Sequence, residues 1–298
     1  MSVKKILKFD YRMAHSLFQH YFYIIVFLLV VFSVLYILYY KKIENFDQSQ
    51  SQSQRETQLV VPDIDIKDTG IYLINLDRNP DRLESFIEQY MMCDLRYKQF
   101  QRISAVDGAK IPDIEDVVSD AAYGEIQQIE KTGYRTKHYQ LTRGAIGCYL
   151  SHLKAYELIA MGNDDYGLVF EDDVFIDKNI FKRLNKLLAG IPNDWDMLLL
   201  GCHCILCDKY DVYYDTRKFF LMHCYIVKKT SASRLWALLK REKIKQQIDS
   251  EISDLVSTGS IKIYCLRESL AKQSGVFSTN IQTPLKVMPG IDPYVTLI

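Results

Sequence analysis

The run VFEDDVFID sets three acids, Glu171, Asp172 and Asp173, at the end of the apolar stretch Leu168 to Phe170. Adjacent carboxylates leaving a buried strand repel one another and lose hydration, which a divalent cation or a positive partner offsets. Along an extended strand alternate side chains share a face, so the pattern predicts Glu171 and Asp173 on one side and Asp172 on the other. A few hard oxygen ligands suit Mg²⁺ or Mn²⁺, which keep water and complete their shell from substrate phosphates. The plainer alternative is a solvated acidic turn after a strand.

A second group of polar residues stands at a strand–helix junction. GIYLINL, from Gly70 to Leu76, reads as a buried strand. The following DRNPDRLESFIEQYM reads as a helix, with Asn79 at its cap, Pro80 at its first position, and Leu83, Phe86, Ile87 and Tyr90 at helical spacing. A helix N-terminus at a strand's carboxyl end offers free N–H groups and partial positive charge, a setting that favours phosphate. Asn75, Asp77, Arg78, Asp81 and Arg82 crowd this junction. Guanidinium can fork onto a diphosphate, and carboxylate can accept from ribose or base. Capping, with two arginines on a solvated helix face, is the ordinary reading.

The stretch Arg143–Met161 carries Ile146, Tyr149, Leu150, Leu153, Tyr156 and Ala160 at helical spacing. Gly144, Gly147, Ser151 and Ala155 form a small edge along it. Glycine in a helix costs about 1 kcal/mol relative to alanine, so either a ligand or another backbone is expected to approach closely there. His152 could contact diphosphate or acceptor, or simply pack. Further on, Asp249, Glu251 and Asp254 lie in an acidic helical segment.

These groups need elements to hold them. QRISAVDG reads as a strand ending in Asp107 and Gly108, and the pattern assigns nothing from there to about Gln140. A helix over Asn179–Leu188, a strand in DWDMLLLG, a strand over Phe220–Val227, a helix over Ser231–Lys240 and a strand in IKIYCL follow. Strands alternating with helices indicate an α/β class, and one domain over residues 70–298 accommodates them.

The ends of the chain and its composition bound the setting. Tyr21 to Tyr40 holds no charge and would span about 30 Å as a helix, enough to cross a bilayer. Tyrosines cluster at both of its ends, and no small-residue cleavage site follows. Lys4, Lys5, Lys8 and Arg12 precede the run whereas Lys41 and Lys42 follow it. The basic excess keeps residues 1–20 cytoplasmic and predicts a single-pass type II anchor, with the bulk of the chain lumenal or extracytoplasmic. NFDQSQSQSQRETQ reads as part of a stem over residues 41–69. Equal numbers of basic and acidic residues, 37 each, argue against a polyanion-binding surface, so no nucleic acid partner is expected. Seven cysteines lie outside the apolar run. A lumenal setting permits disulfides. Cys202, Cys204 and Cys207 with His203 lack a second matching pair for zinc, which leaves local disulfides or buried thiols.

Taken in order, IYLINLDRNPDRLESF, RISAVDG, LTRGAIGCYLSHLKAYELI, VFEDDVFID, DWDMLLLG and the FSTNIQ tail resemble glycosyltransferase family 25. The family includes bacterial lipooligosaccharide and procollagen galactosyltransferases. The resemblance implies a GT-A type fold, a mixed sheet between helices. It also implies a UDP-sugar donor, usually UDP-galactose, a glycan or glycoprotein hydroxyl as acceptor, Mn²⁺ or Mg²⁺ on the acidic motif, and inversion at the anomeric carbon. By position Glu171 stands toward ribose or metal and Asp173 on the metal. Asn75, Asp77, Arg78, Arg82, Gly147, Ser151 and His152 fall to the donor. QQIDSEIS resembles the late apolar-Asp element and makes Asp249 a candidate catalytic base, with Asp172 as the other catalytic candidate. Ser278, Thr279 and Asn280 stand where the family often shows Ser-Asp. A degenerate glycan-binding or structural protein, and a sugar nucleotidyltransferase, are the competing expectations. The first would lose the acids, and the second would carry a Gly-rich phosphate loop that the first junction lacks.

Overall fold

Every residue of Thr69–Asn75 is buried, as in a strand covered on both faces. The computed structural model describes residues 64–136, 140–277, 281 and 286–287. The expected membrane span, most of the stem, and Ser278 to Asn280 lie outside them. No helix among the described residues is long and apolar enough to cross a membrane.

In chain order the strands are β1 (Thr69–Asn75), β2 (Phe100–Ser104), β3 (Tyr134–Arg135), β4 (Tyr166–Glu171), β5 (Val174–Ile176), β6 (Met197–Lys209), β7 (Tyr213–Lys228), β8 (Ile263–Leu266), β9 (Ala271–Gln273) and β10 (Lys286–Val287). The helices are α1 (Pro80–Met92), α2 (Ile114–Val117), α3 (Asp120–Thr132), α4 (Arg143–Met161), α5 (Ile180–Leu188), α6 (Lys229–Lys240) and α7 (Ile248–Ser257). Six strands form a mixed sheet in the order β2-β1-β4-β7-β6-β8. β1 runs parallel to β2 and β4, whereas β7 runs antiparallel to both β4 and β6.

Alternation along the strands divides the core. Ile71, Leu73, Leu168 and Phe170 face Phe86 and Tyr90 of α1 and Leu184 of α5. Tyr72, Ile74 and Val169 face Ile146, Tyr149 and Tyr156 of α4, with Leu235 of α6 and Ile252 of α7. The α/β class and the mixed sheet between helices are therefore as expected. The chain leaves β1 toward β2 on one side and has β4 on the other. That reversal opens a crevice at the carboxyl ends of β1 and β4, where ligands of open α/β sheets bind.

Several boundaries differ from the pattern. The core includes residues before Gly70: Ile64 is buried with Ile71 and Leu73 of β1, and Ile66–Asp68 forms a 3-10 turn. The unassigned stretch holds α2, a single turn, and α3, whose buried face is only Ala122, Ile126 and Ile129. β6 and β7 extend well beyond DWDMLLLG and Phe220–Val227 as one long hairpin with register shifts, which obscure period-two alternation.

Candidate active site

Two of the three acids follow the last strand residue, and this changes their geometry. β4 ends at Glu171, while Asp172 and Asp173 occupy the turn before β5. Strand alternation therefore stops at Glu171, and the expected pairing of Glu171 with Asp173 on one strand face is replaced by separate partners. Glu171 Oε1 lies 3.1 Å from His152 Nε2. Asp172 accepts from Asn75 Nδ2 at 2.7 Å and from Arg82 Nη1 at 3.0 Å. Asp173 Oδ2 lies 3.7 Å from Arg82 Nη1 and accepts from Gln273 Nε2 of β9 at 3.3 Å. Its other oxygen, Oδ1, is buried and meets no hydrogen-bond donor among the described residues.

The electrostatics follow these partners. Burial alone would raise the Glu171 carboxyl, but the hydrogen bond and charge of His152 hold it below the usual range. Burial raises Asp172. Burial and the neighbouring Glu171 raise Asp173 to about 7. A buried carboxylate oxygen without a donor, beside two further acids, is the arrangement a hard cation satisfies. The unpartnered Asp173 oxygen fits a hard cation, and all three acids line a cavity of about 500 Å³.

The walls of that cavity come from distant segments. α4 contributes Cys148, Ser151 and His152, α3 contributes Ile126 and Ile129, and the loop after β2 contributes Val106 to Ala109. Ser151 Oγ donates to the carbonyl of Gly147 at 2.6 Å and accepts from Val106 N at 2.8 Å, so it ties helix to loop. Gly147 serves the same contact. A Cβ there would meet the Val106 carbonyl at 2.4 Å, so the close approach is of backbone, and Gly147 does not line the cavity. His152 is fully buried and its Nδ1 pairs with Tyr225 Oη at 2.9 Å. The Cys148 thiol is raised well above its usual range by burial and by Glu171, Asp249 and Asp173 around it.

At the first junction the four donor candidates part company. Asn75 is buried, gives its amide to Asp172 and the Asn79 carbonyl, and accepts from Arg102 Nε at 2.8 Å. It does not line the cavity, and its visible work is to orient Asp172. Asp77 binds Arg102 and Ser104 on the outer rim. Arg78 lines the cavity, half exposed, with Nε 3.0 Å from Asp107. Arg82 is only 6% exposed and faces the acids, with its guanidinium 5.2 Å from the centre of the Phe277 ring. It is not the solvated helix residue that the spacing allowed. Asn79 precedes α1 but makes no side-chain cap hydrogen bond.

Asp249 sits in the first turn of α7, where its carboxylate accepts from Ser250 N at 2.8 Å and Leu221 N at 3.4 Å. Burial raises it to about 6, and Glu171 adds to the shift. Leu221 has φ 73°, a left-handed conformation costly for a branched side chain, and such strain clusters at functional sites. Asp249 is not among the residues lining the cavity. Sequence reasoning did not single out Cys148, Tyr225, Gln273 or the α3 isoleucines. Cys148 had a usable signal in its four-residue spacing from His152. The others owe their place to long-range pairing.

A family model described as glycosyltransferase family 25 (LPS biosynthesis protein) matches residues 68–260. Procollagen galactosyltransferase 2 of Homo sapiens is 30% identical over 136 residues, covering 44% of this chain and 20% of that protein. Inactive glycosyltransferase 25 family member 3 of Homo sapiens is 28% identical over 136 residues, covering 44% and 21%. The chain spans about a fifth of the length of these relatives. Among solved structures, A197 from STIV aligns with TM-score 0.37 and 11% identity, over 71% of this chain and 86% of that one. The matched segment runs from the start of β1 past α7, more than half of the sequence, and it contains both the acidic motif and Asp249: the chain belongs to glycosyltransferase family 25.

Proposed function

We propose that the protein is a membrane-anchored, GT-A type hexosyltransferase. It would move a hexose from a UDP-sugar to a hydroxyl of a glycan or glycoprotein, with inversion and with Mn²⁺ or Mg²⁺. The observation that carries this reading is the acid cluster at the carboxyl end of β4, lining a cavity at the sheet's reversal point, with one buried carboxylate oxygen left without a donor. Galactose is the sugar named for the matched procollagen galactosyltransferases.

Glu171 and Asp173 would hold the divalent ion, which when bound supplies positive charge for the departing diphosphate. The chain's own groups do the rest. His152, held by Tyr225, keeps Glu171 ionised and aimed. Asn75 and Arg82 fix Asp172, so Asp172 acts here as a structural acid and not as the base. Arg78 at the cavity wall can fork onto phosphate. Asp249 takes the acceptor hydroxyl proton. A residence near pH 6 leaves it ionised at neutral pH yet basic enough to accept.

The uncharged run Tyr21–Tyr40, the basic flank before it, and the Cys202–Cys265 and Cys204–Cys207 disulfides support a type II protein with a lumenal domain. A glycan-binding protein without turnover is the second reading, favoured by the inactive name of one relative. This chain keeps all three acids, which such a protein has no need to retain.

The deciding experiment is a screen of nucleotide sugars for hydrolysis and transfer, with and without Mn²⁺, on the parent and on Asp173→Asn. We expect one UDP-hexose to be turned over only with metal. Asp173→Asn should lower the rate by about 10³ or more, on the scale of losing one charge-stabilising group in a dry site, and should weaken metal-dependent donor binding. Turnover unaffected by chelator, or an unimpaired variant, would remove metal assistance from the reading.

A further inference from the structure

α4 places Cys148 and His152 one turn apart on the same face. β4 ends with Glu171 directly opposite. One ligand atom from each of the three, Sγ, a ring nitrogen and a carboxylate oxygen, lies within 4.8 Å of the other two. The spacing of His152 Nε2 and Glu171 Oε1, 3.1 Å, is close to the edge of a tetrahedron built on bonds of about 2.0–2.1 Å, roughly 3.3 Å. The other ring nitrogen of His152 is already taken by Tyr225 Oη at 2.9 Å, the outer partner that metal-binding histidines ordinarily have. All three residues line the same cavity, so a fourth position would open to solvent or ligand. Three protein ligands and an open position describe zinc sites in enzymes.

The donor set differs in kind from the acid pair. Glu171 with Asp173 offers only hard oxygen, which suits Mn²⁺ or Mg²⁺. Cys148, His152 and Glu171 offer sulfur, nitrogen and oxygen, which suit a borderline-soft ion. We propose that this triad is a zinc site that overlaps the proposed Mn²⁺ site through Glu171, so that the two ions exclude one another. On binding, the Cys148 thiol proton and the proton on His152 Nε2 that faces Glu171 pass to solvent. Thiolate, carboxylate and neutral imidazole then leave the Zn²⁺ centre without net charge. The site ties the soft-metal content of its surroundings to transferase activity, because zinc there withdraws Glu171 from the hard-cation pair. The overlap with Mn²⁺ and this last consequence rest on the transferase reading, whereas the triad itself does not.

Cobalt is the probe, since a thiolate–Co²⁺ bond gives a near-ultraviolet charge-transfer band that oxygen and nitrogen ligands do not. The full chain is titrated with Co²⁺ in detergent without reductant, which keeps Cys202, Cys265, Cys204 and Cys207 in disulfides. We expect one equivalent of cobalt with that band, its displacement by one equivalent of Zn²⁺, and survival of the band in Cys204→Ser/Cys207→Ser. The band should vanish in Cys148→Ser, and Tyr225→Phe should weaken binding about 10-fold through loss of the outer partner. X-ray absorption on the parent chain with zinc should show one sulfur at about 2.3 Å, a readout that needs no variant to fold. A shell of nitrogen and oxygen alone, or a band that persists in Cys148→Ser, overturns the proposal. None of these signals depends on turnover, so a missing transferase activity leaves them readable. Zinc bound on the triad without effect on Mn²⁺ affinity would overturn the overlap.

Discussion

The parallel half of the sheet, β2, β1 and β4, differs in what it gives the site from the half built on the antiparallel β6–β7 hairpin, the antiparallel half, in which β8 lies parallel beside β6. The parallel strands end together, and their ends carry polar and charged side chains: Asn75 from β1 and Glu171 from β4, with Arg78, Asp172 and Asp173 just beyond. The antiparallel strands contribute holders. Tyr225 of β7 takes His152, the strained Leu221 donates to Asp249, and Cys202 of β6 is bonded to Cys265 of β8. One half presents chemistry and the other fixes its geometry. Substitutions in the first should change rate more than stability, and substitutions in the second should do the reverse.

Asp249 is the sharpest test, because it is the proposed base yet is held by the antiparallel half. Asp249→Asn should lower transfer by about 10² to 10⁴, the usual worth of a general base, while donor and metal binding persist. In the parent, transfer should rise with pH as Asp249 ionises around 6, and this limb should be missing from the residual activity of the variant. The stability sign is opposite. A carboxyl raised by burial binds its proton more tightly when folded, so its contribution is fully present below the unfolded value and is lost as pH rises through about 6. The Asn variant should therefore hold its melting temperature between pH 4 and 7 better than the parent. Rate and melting curves that track the parent would place the base elsewhere.

Arg82 comes next. It is buried against Asp172 and Asp173, and removing one partner of such a pair costs about 3–5 kcal/mol because the other charge is left behind. Arg82→Met should lower stability by that amount in denaturant melts, and Asp172→Asn added to it should restore part of the loss. If the double variant were worse by the sum of both singles, the pair would not be coupled as the geometry shows.

The disulfide tests the other half. Cys202 and Cys265 close a loop with a sequence separation of 63, and loss of such a link in a secreted domain costs about 2–5 kcal/mol. Cys202→Ser/Cys265→Ser should show that loss in its melting temperature, with hydrogen exchange rising first in β6 and β8. The kcat per folded molecule should change little. A large fall in kcat with unchanged stability would contradict the division of labour between the halves.

The parallel half was also the legible one. Its strands are short, apolar and followed directly by helices, so GIYLINL, the Pro80 helix start and the acids after Phe170 could be read from local pattern. The residue types of the acid cluster were readable for the same reason. Their partners were not, because Arg82, Asn75 and Gln273 reach Asp172 and Asp173 across separations that no periodicity encodes. Alternation misplaced Asp173 because it assumed that the strand continued past Glu171. In the antiparallel half the register shifts of β6 broke the period, and the cysteines there read as a local cluster when one of them bonds to Cys265 on the neighbouring β8. Gly147 shows the same limit in small. Its spacing called for a close approach, and only the structure shows that the backbone at Val106 makes it.

The smallest expected effect belongs to Arg78, four residues before Arg82 and opposite to it in setting. Its side chain is 47% exposed, and its guanidinium meets Asp107 at 3.0 Å. Such an exposed pair contributes about 0–1 kcal/mol after screening by solvent, so Arg78→Ala should leave the melting temperature close to that of the parent. The residue nonetheless lines the cavity beside the acids, where a planar fork suits a diphosphate. The variant should therefore raise KM for the donor by about 10-fold, the scale of one charge-assisted contact, with kcat changed less. Arg78→Lys should recover charge but not the fork, and so only part of the KM. A variant in which stability falls and KM stays put would make Arg78 a holder like Tyr225, and the line between the two halves of the sheet would have to be drawn elsewhere.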